Sequence, residues 1–177
     1  MTLSFSTHFK DETPNYFVEK ILHSFPSLKP AHSCYKALHG STWEQRAYAA
    51  RCPTEHYDLT WFGYPDKLIP KIHTIRRDEK RRWKSGMDIN FVLFNRTKKR
   101  WEFITGTCTA VQSIRIQKAA NRAEIGVWID GKLLEHDTET TLIEFVYNDG
   151  FETIKQFKDW FAEDFEGVLI HWTDKRY

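Results

Sequence analysis

The middle of the chain is a series of short apolar segments separated by polar turns, and this pattern constrains the fold more than any other feature. Alternating residues, or residues rich in β-branched and aromatic side chains, recur there in segments of strand length. One of the turns is Asp130-Gly131, a dipeptide typical of a two-residue β-hairpin. The predicted strands are Ile89–Phe94, Trp101–Ile104, Val111–Ile116, Val127–Ile129 and Lys132–Leu134. We therefore expect one continuous, largely antiparallel sheet.

Helices are predicted near the two ends of the chain rather than between consecutive strands. A strand at Leu3–Phe9 precedes a helix at about Pro14–Phe25, in which apolar residues recur at helical spacing. Towards the other end, Asp149-Gly150 separates two helices, because glycine favours the left-handed conformation that ends a helix. Those helices are predicted at about Thr140–Asn148 and Thr153–Phe165, before a final strand at Val168–Trp172. Regular β-α alternation is lacking, so we expect an α+β fold with a small, largely antiparallel β-barrel flanked by helices.

The length of 177 residues is that of one ordinary domain, and we expect a single domain over residues 1–177 with an irregular insert at about 26–69. The insert is rich in proline and contains one short predicted helix, which begins at the capping box Ser41–Glu44. Histidines and cysteines gather in it, but their spacings fit none of the usual zinc-ligand patterns. The sequence therefore predicts neither a metal site nor a cofactor.

Cysteine content and hydropathy indicate a cytoplasmic protein. The 3 cysteines are an odd number without the spacing of a disulfide framework, which is typical of a reducing compartment. No apolar run reaches the length of about 18 residues that a membrane span needs, and the first residues lack the features of a signal peptide. We expect no membrane partner.

Basic residues are concentrated in one short segment, although the formal net charge of the chain is only +2. They surround Trp83, and they are Arg76, Arg77, Lys80, Arg81, Arg82 and Lys84. A basic patch with an aromatic side chain inside it suits single-stranded RNA or DNA, because phosphates pair with the cations and bases stack on the ring. The alternatives are a solvated face without a ligand and, for Trp83, an anchor in the core.

Three short motifs follow one another along the chain. They are Lys71-x-x-Thr74-x-Arg76, Trp83-Lys84-x-Gly86-x-x-Ile89, and Asn148-Asp149-Gly150-Phe151 before a helix that contains Phe157. Their order resembles that of the ASCH domains, a family in the PUA-like group of small β-barrels associated with RNA. The resemblance extends over Leu3–Phe25 and Pro70–Trp172 and leaves out the insert. It implies a PUA-like fold and a partner that is RNA, a nucleoside or a nucleotide.

Some ASCH proteins are amidohydrolases that remove the acetyl group of N-acetylated cytidine with a lysine, a threonine and a carboxylate. The resemblance implies these roles for Lys71, Thr74 and Asp149, although those hydrolases have glutamate where this chain has Asp149. A threonine hydroxyl needs a neighbouring base, and a desolvated lysine with a lowered pKa can serve. Residues three apart on a straight strand face opposite sides, so Lys71 and Thr74 meet only if the chain bends after Pro70. The alternatives are a surface lysine, an ordinary strand threonine and a turn aspartate.

Two functions are therefore predicted. The first is a binding module for RNA or a modified nucleotide, which engages its ligand through Arg76 and the neighbouring basic residues without chemistry. The second is a metal-independent amidohydrolase for an acylated cytidine nucleoside, with Thr74 as nucleophile, Lys71 as base and Asp149 orienting the lysine. Binding ranks first because the basic patch is evident in the sequence itself.

Overall fold

The computed structural model describes residues 1–13, 15–25, 69–118, 124–134 and 139–177. The helices in these ranges are α1 (Phe17–His23), α2 (Glu139–Asn148) and α3 (Ile154–Trp160). The strands are β1 (Thr2–Phe5), β2 (His73–Arg76), β3 (Asp88–Leu93), β4 (Trp101–Thr107), β5 (Ala110–Lys118), β6 (Ile125–Ile129), β7 (Lys132–Leu133) and β8 (Phe165–His171). The predicted insert, its short helix and its zinc-ligand spacings lie outside the described residues, apart from the last residue of the insert. No helix in the described ranges is long and apolar enough to cross a bilayer.

The strands form two sheets, and together with the helices they confirm the α+β class. One sheet has the order β1-β3-β4, and the other has the order β2-β8-β5-β6-β7. β1 pairs with β3 in parallel, whereas the remaining pairs of these two sheets are antiparallel. The described strands do not close into a barrel.

The prediction of one continuous sheet is wrong at the junction between β4 and β5. Cys108 still belongs to the first sheet, since its amide donates to the Met87 carbonyl at 2.8 Å. The amide of the next residue, Thr109, donates instead to the carbonyl of His171 on β8, at 2.9 Å. The chain therefore changes sheets between Cys108 and Thr109, and β5 pairs with β8 rather than with β4. Alternation in the sequence predicts a strand but not its partner.

The predicted hairpin at Asp130-Gly131 is confirmed, and it joins β6 to β7. Both residues have positive φ angles, 50° and 79°, as a two-residue turn of this kind requires. The Asp130 carboxylate accepts hydrogen bonds from the Ser113 amide at 2.8 Å and from the Gln112 side chain at 2.9 Å. These hydrogen bonds connect the turn to β5, the strand that pairs with β6 on the side away from β7.

The five-stranded sheet has one apolar face because its residues alternate. On β5, Ile114 and Ile116 are buried, whereas Arg115 between them is exposed. The two isoleucines belong to the same core cluster as Phe145 of α2 and Phe157 of α3, whose rings lie 6.0 Å apart. Full burial of each such side chain contributes roughly 1.5–3 kcal/mol. The core therefore holds α2 close to the apolar face of this sheet. The opposite face of the sheet carries polar residues such as Arg115.

Candidate functional site

Helix α2 ends in a geometry that its local sequence dictates. Gly150 has a φ angle of 91°, in the left-handed region that glycine enters at no steric cost. Its amide donates to the Tyr147 carbonyl at 2.8 Å, and the Phe151 amide donates to the Val146 carbonyl at 3.2 Å. These two bonds are those of a Schellman motif. The predicted helix stop is confirmed, and it fixes the position of Asp149.

The carbonyl groups at this helix end are bound by donors from distant parts of the chain. The pairs are Ile72 N with Asn148 O (2.9 Å), Lys71 Nζ with Asp149 O, and Lys20 Nζ with Gly150 O (2.9 Å). A helix leaves its last carbonyls without partners inside the helix, and its C-terminal end carries partial negative charge. The two ammonium groups therefore satisfy the carbonyls and complement the helix dipole.

Lys71 also forms a buried ion pair with Asp149. Its Nζ donates to Asp149 Oδ1 at 2.7 Å, and the two residues are only 1% and 3% exposed. Burial lowers the pKa of Lys71 to about 8, although the Asp149 carboxylate acts in the opposite direction. With that pKa, Lys71 is mainly the ammonium form at pH 7. Burial alone would raise the pKa of Asp149, but the Lys71 charge and the His73 ring outweigh it and lower the pKa.

The stem of Lys71 is packed inside the protein, so the alternative of a surface lysine is wrong. Its Nζ lies 4.7 Å from the centroid of the Phe17 ring. A Cβ atom at Gly150 would lie 2.9 Å from that ring and 3.0 Å from Lys71 Cδ. Glycine at position 150 is therefore required for space as well as for its φ angle.

Thr74 is buried on β2, next to His73. Because side chains alternate along a strand, Thr74 faces the side of the sheet opposite to His73. None of the hydrogen bonds between described residues joins the Thr74 hydroxyl to Lys71 or Asp149. The structure thus brings Lys71 and Asp149 together. The role of Thr74 as a nucleophile beside them stays a prediction.

Arg76, at the end of β2, uses its guanidinium within the fold. It donates to the Ser4 carbonyl at 2.9 Å and to the Ile75 carbonyl at 3.0 Å. Its guanidinium carbon lies 5.0 Å from the centroid of the Phe5 ring. Arg76 therefore connects β2 with β1, and it is separate from the exposed basic residues that follow it.

His73 links Asp149 to the C-terminal segment. Its Nδ1 lies 3.5 Å from Asp149 Oδ1, and its Nε2 lies 2.9 Å from the Tyr177 hydroxyl. Asn148 Nδ2 donates to the same hydroxyl at 2.8 Å. Burial lowers the pKa of His73 against the raising effect of Asp149. The neighbouring His171 has its pKa lowered to about 3 by burial, by His73 and by Arg176. Both imidazole rings are therefore neutral at pH 7.

The basic segment folds around one buried carboxylate. Asp78 Oδ2 accepts a hydrogen bond from the Trp83 amide at 2.9 Å, and the Asp78 carbonyl accepts one from the Arg81 amide at 2.9 Å. Trp83 is buried in the core cluster, which confirms the alternative that this side chain anchors the core. The exposed members of the segment are Arg77, Lys80, Arg81, Arg82 and Lys84.

A cleft of about 990 Å³ opens beside this segment. The arginines and tryptophans that line it are Arg77, Arg81, Arg115, Trp83 and Trp128, and the exposed carboxylates are Glu79, Asp164 and Glu166. Arg115 and Trp128 are cross-strand partners on β5 and β6, and the guanidinium carbon lies 4.7 Å from the indole centroid. Within the described residues, neither Arg77 nor Arg115 takes part in an ion pair. Arg77 lies instead over the Phe165 ring, with its guanidinium carbon 5.3 Å from the ring centroid.

Several residues at the end of α2 and in the cleft were not predicted from the sequence. Lys20 and His73 lie in an ordinary helix and strand, and Tyr177 lies near the end of the chain with no motif around it. Arg115 and Trp128 carry a usable signal, because Arg115 occupies the polar position of the alternation Ile114-Arg115-Ile116 and a tryptophan precedes the hairpin turn. Among the described residues, no three metal-ligating side chains come together.

Comparison of the chain with protein-family models, with curated proteins and with solved structures found no match in any of the three.

Asp149→Ala is expected to lower the free energy of unfolding by about 3–5 kcal/mol, because it leaves a buried ammonium without its counter-charge. Urea unfolding measures this change. Adding Lys71→Met removes the uncompensated charge, so the double variant should recover part of the loss.

Asp159→Ala is the matched control, since it breaks the Lys155–Asp159 pair, whose side chains are 85% and 58% exposed. Breaking an exposed pair should cost less than about 1 kcal/mol. The buried-pair account is contradicted if Asp149→Ala costs no more than this control.

Proposed function

We propose that this protein binds single-stranded RNA or a nucleotide in the cleft beside the basic segment, as an ASCH-like module. The observation that carries the proposal is the convergence of Arg77, Arg81 and Arg115 beside the half-buried ring of Trp128. The proposal includes a PUA-like barrel, of which the two described sheets would be parts, and a cytoplasmic location. The order of the motifs around Lys71, Trp83 and Asp149 supports the family assignment.

The chemistry of the cleft suits one or a few nucleotides. Guanidinium groups offer planar, paired donors to phosphate oxygens. An aromatic face provides a stacking surface for a base, and stacking contributes about 1–3 kcal/mol per base. The Arg115 guanidinium lies over the Trp128 ring from the neighbouring strand, so a base could stack on the guanidinium plane while its phosphate pairs with the same charge.

The carboxylates of the cleft favour a single strand over a duplex. Glu166 is the cross-strand partner of Arg115 on β8, and Asp164 lies nearby in the cleft lining. A rigid duplex would bring several phosphates near these negative charges at once. A flexible single strand can place one phosphate on the arginines and turn its backbone away from the carboxylates.

Arg115→Ala and Arg77→Ala are each expected to weaken the binding of a short fluorescein-labelled single-stranded RNA roughly tenfold. Fluorescence anisotropy between about 50 and 200 mM salt measures both affinity and salt dependence. Each variant should reduce the slope of log affinity against log salt by about one, because one phosphate contact is lost.

Arg100→Ala is the matched control, because Arg100 pairs with Glu102 on β4 and does not line the cleft. It should leave the slope nearly unchanged. Equal losses for Arg100→Ala and Arg115→Ala would show diffuse attraction, and absence of binding by the unaltered protein would refute the proposal.

A second candidate function is deacylation of an N-acylated cytidine, and the contact between Lys71 and Asp149 favours it. A lysine whose pKa lies near 8 can release and accept a proton near neutral pH. The reaction requires the start of β2 to turn so that the Thr74 hydroxyl reaches Lys71. Thr74 would then attack the acyl carbon, Lys71 would take the hydroxyl proton and return it to the leaving amine, and water would cleave the acyl-threonine ester. Because all three residues are buried, substrate entry would require the covering elements to part.

Incubation with N-acetylcytidine tests this second function, with cytidine detected by chromatography. Thr74→Val and Lys71→Met should each abolish product formation, since one removes the nucleophile and the other removes the base. Thr107→Val, which changes an exposed threonine of β4, should retain activity. Product formation that survives Thr74→Val excludes the proposed nucleophile.

A further inference from the structure

The Tyr177 hydroxyl joins two groups whose hydrogen-bonding roles determine each other. Asn148 Nδ2 lies 2.8 Å from the phenol oxygen, and His73 Nε2 lies 2.9 Å from it. An amide nitrogen can only donate, so the phenol oxygen accepts from Asn148. The single phenol proton is then free to be donated to His73 Nε2.

This direction fixes the tautomer of His73. A nitrogen that accepts the phenol proton carries no hydrogen, so the ring proton of neutral His73 must be on Nδ1. Nδ1 lies 3.5 Å from Asp149 Oδ1, where a proton is attracted by the carboxylate and a lone pair would be repelled. Both neighbours of the ring therefore favour the same tautomer.

We propose that Asn148 and Tyr177 are positioning residues that keep His73 neutral, with its proton directed at Asp149, so that Asp149 balances the charge of Lys71 rather than that of an imidazolium. Asn148 sets the direction of the chain of hydrogen bonds, and Tyr177 transmits it. The C-terminal segment thereby influences the charge of the buried ion pair.

The charged and titratable groups that face His73 come from each element around it. Asp149 approaches from the end of α2, Lys71 precedes β2, and His171 lies on β8 with its ring centroid 5.5 Å away. Tyr177 and Lys175 approach from the C-terminal segment. The Phe145 ring is stacked on His73 at a centroid distance of 5.2 Å. A change in the charge of His73 would therefore act directly on the Lys71–Asp149 pair.

Asn148→Asp is expected to reverse the direction of the hydrogen bonds. A carboxylate only accepts hydrogen bonds, so the Tyr177 hydroxyl would donate its hydrogen bond to the new carboxylate. The phenol oxygen would then accept a hydrogen bond from His73 Nε2. With Asp149 still attracting a proton at Nδ1, His73 would become an imidazolium. Its charge would then compete with Lys71 for Asp149.

Nitrogen-15 NMR of the histidine side chains tests the proposal, because protonated and unprotonated ring nitrogens have distinct shifts. In the unaltered protein at neutral pH, His73 should be protonated at Nδ1 and unprotonated at Nε2. In Asn148→Asp both nitrogens should be protonated at the same pH. Adding Tyr177→Phe to Asn148→Asp should cancel this effect, since the carboxylate then lacks its connection to His73.

Lys175→Gln is the matched control, because it makes the same change in net charge near His73 and removes the Lys175–Glu144 ion pair, but leaves the hydrogen bonds of the Tyr177 hydroxyl to Asn148 and His73 in place. It should leave His73 neutral with its proton on Nδ1. If Lys175→Gln and Asn148→Asp protonate His73 to the same extent, the effect is electrostatic and the proposal fails. It also fails if the unaltered protein carries the ring proton on Nε2, a result that needs no variant to fold.

A consequence for catalysis rests on the second candidate function. Asn148→Asp should then shift the pH dependence of cytidine release to lower pH, since an imidazolium beside Lys71 disfavours the ammonium form. Absence of deacylation by the unaltered protein would refute the reaction alone. The NMR result for His73 decides the positioning proposal independently.

Discussion

The end of helix α2 is the point on which the rest of the structure depends. Its last carbonyls need partners, and the chain provides the Ile72 amide and two buried ammonium groups. These donors hold α1 and the start of β2 against the helix. Because Lys71 is buried there, a neighbouring negative charge is required, and Asp149 provides it from the residue whose carbonyl Lys71 also binds. The same few residues therefore end the helix, position β2 and balance the buried charge.

The segment that begins at Lys71 passes through three environments. Lys71, His73 and Thr74 are buried beside the helix end. Arg76 then joins β2 to β1 through the Ser4 carbonyl. After Arg76 the chain turns around the Asp78 carboxylate and exposes its basic side chains beside the cleft. A ligand in the cleft and chemistry at Lys71 would therefore use neighbouring but different parts of the molecule.

Features set by adjacent residues could be predicted from the sequence, whereas features set by pairing between distant segments could not. The hairpin at Asp130-Gly131 and the helix stop at Gly150 depend on local backbone conformation, and both are confirmed. The change of sheets after Cys108 depends on which strand accepts β5, and alternation carries no information about that choice.

The same distinction holds for the candidate sites. The basic segment is continuous in sequence, but Arg115 and Trp128 reach its cleft only through the pairing of β5 with β6. Lys71 and Asp149 are 78 residues apart, and Lys20 is 130 residues from Gly150. The family resemblance suggested Lys71 and Asp149 as partners, but it did not indicate that both lysines bind the end of a helix.

The most direct test of this account is an NMR titration of the Lys71 side chain, assigned by comparison with Lys71→Met. Burial predicts a pKa of about 8 for Lys71 in spite of its pairing with Asp149, whereas the exposed Lys155, paired with Asp159, should titrate above the ordinary lysine value. Titration of Lys71 together with the exposed lysines would contradict the account, because burial at the end of α2 would then not outweigh the effect of the Asp149 charge on the pKa of Lys71.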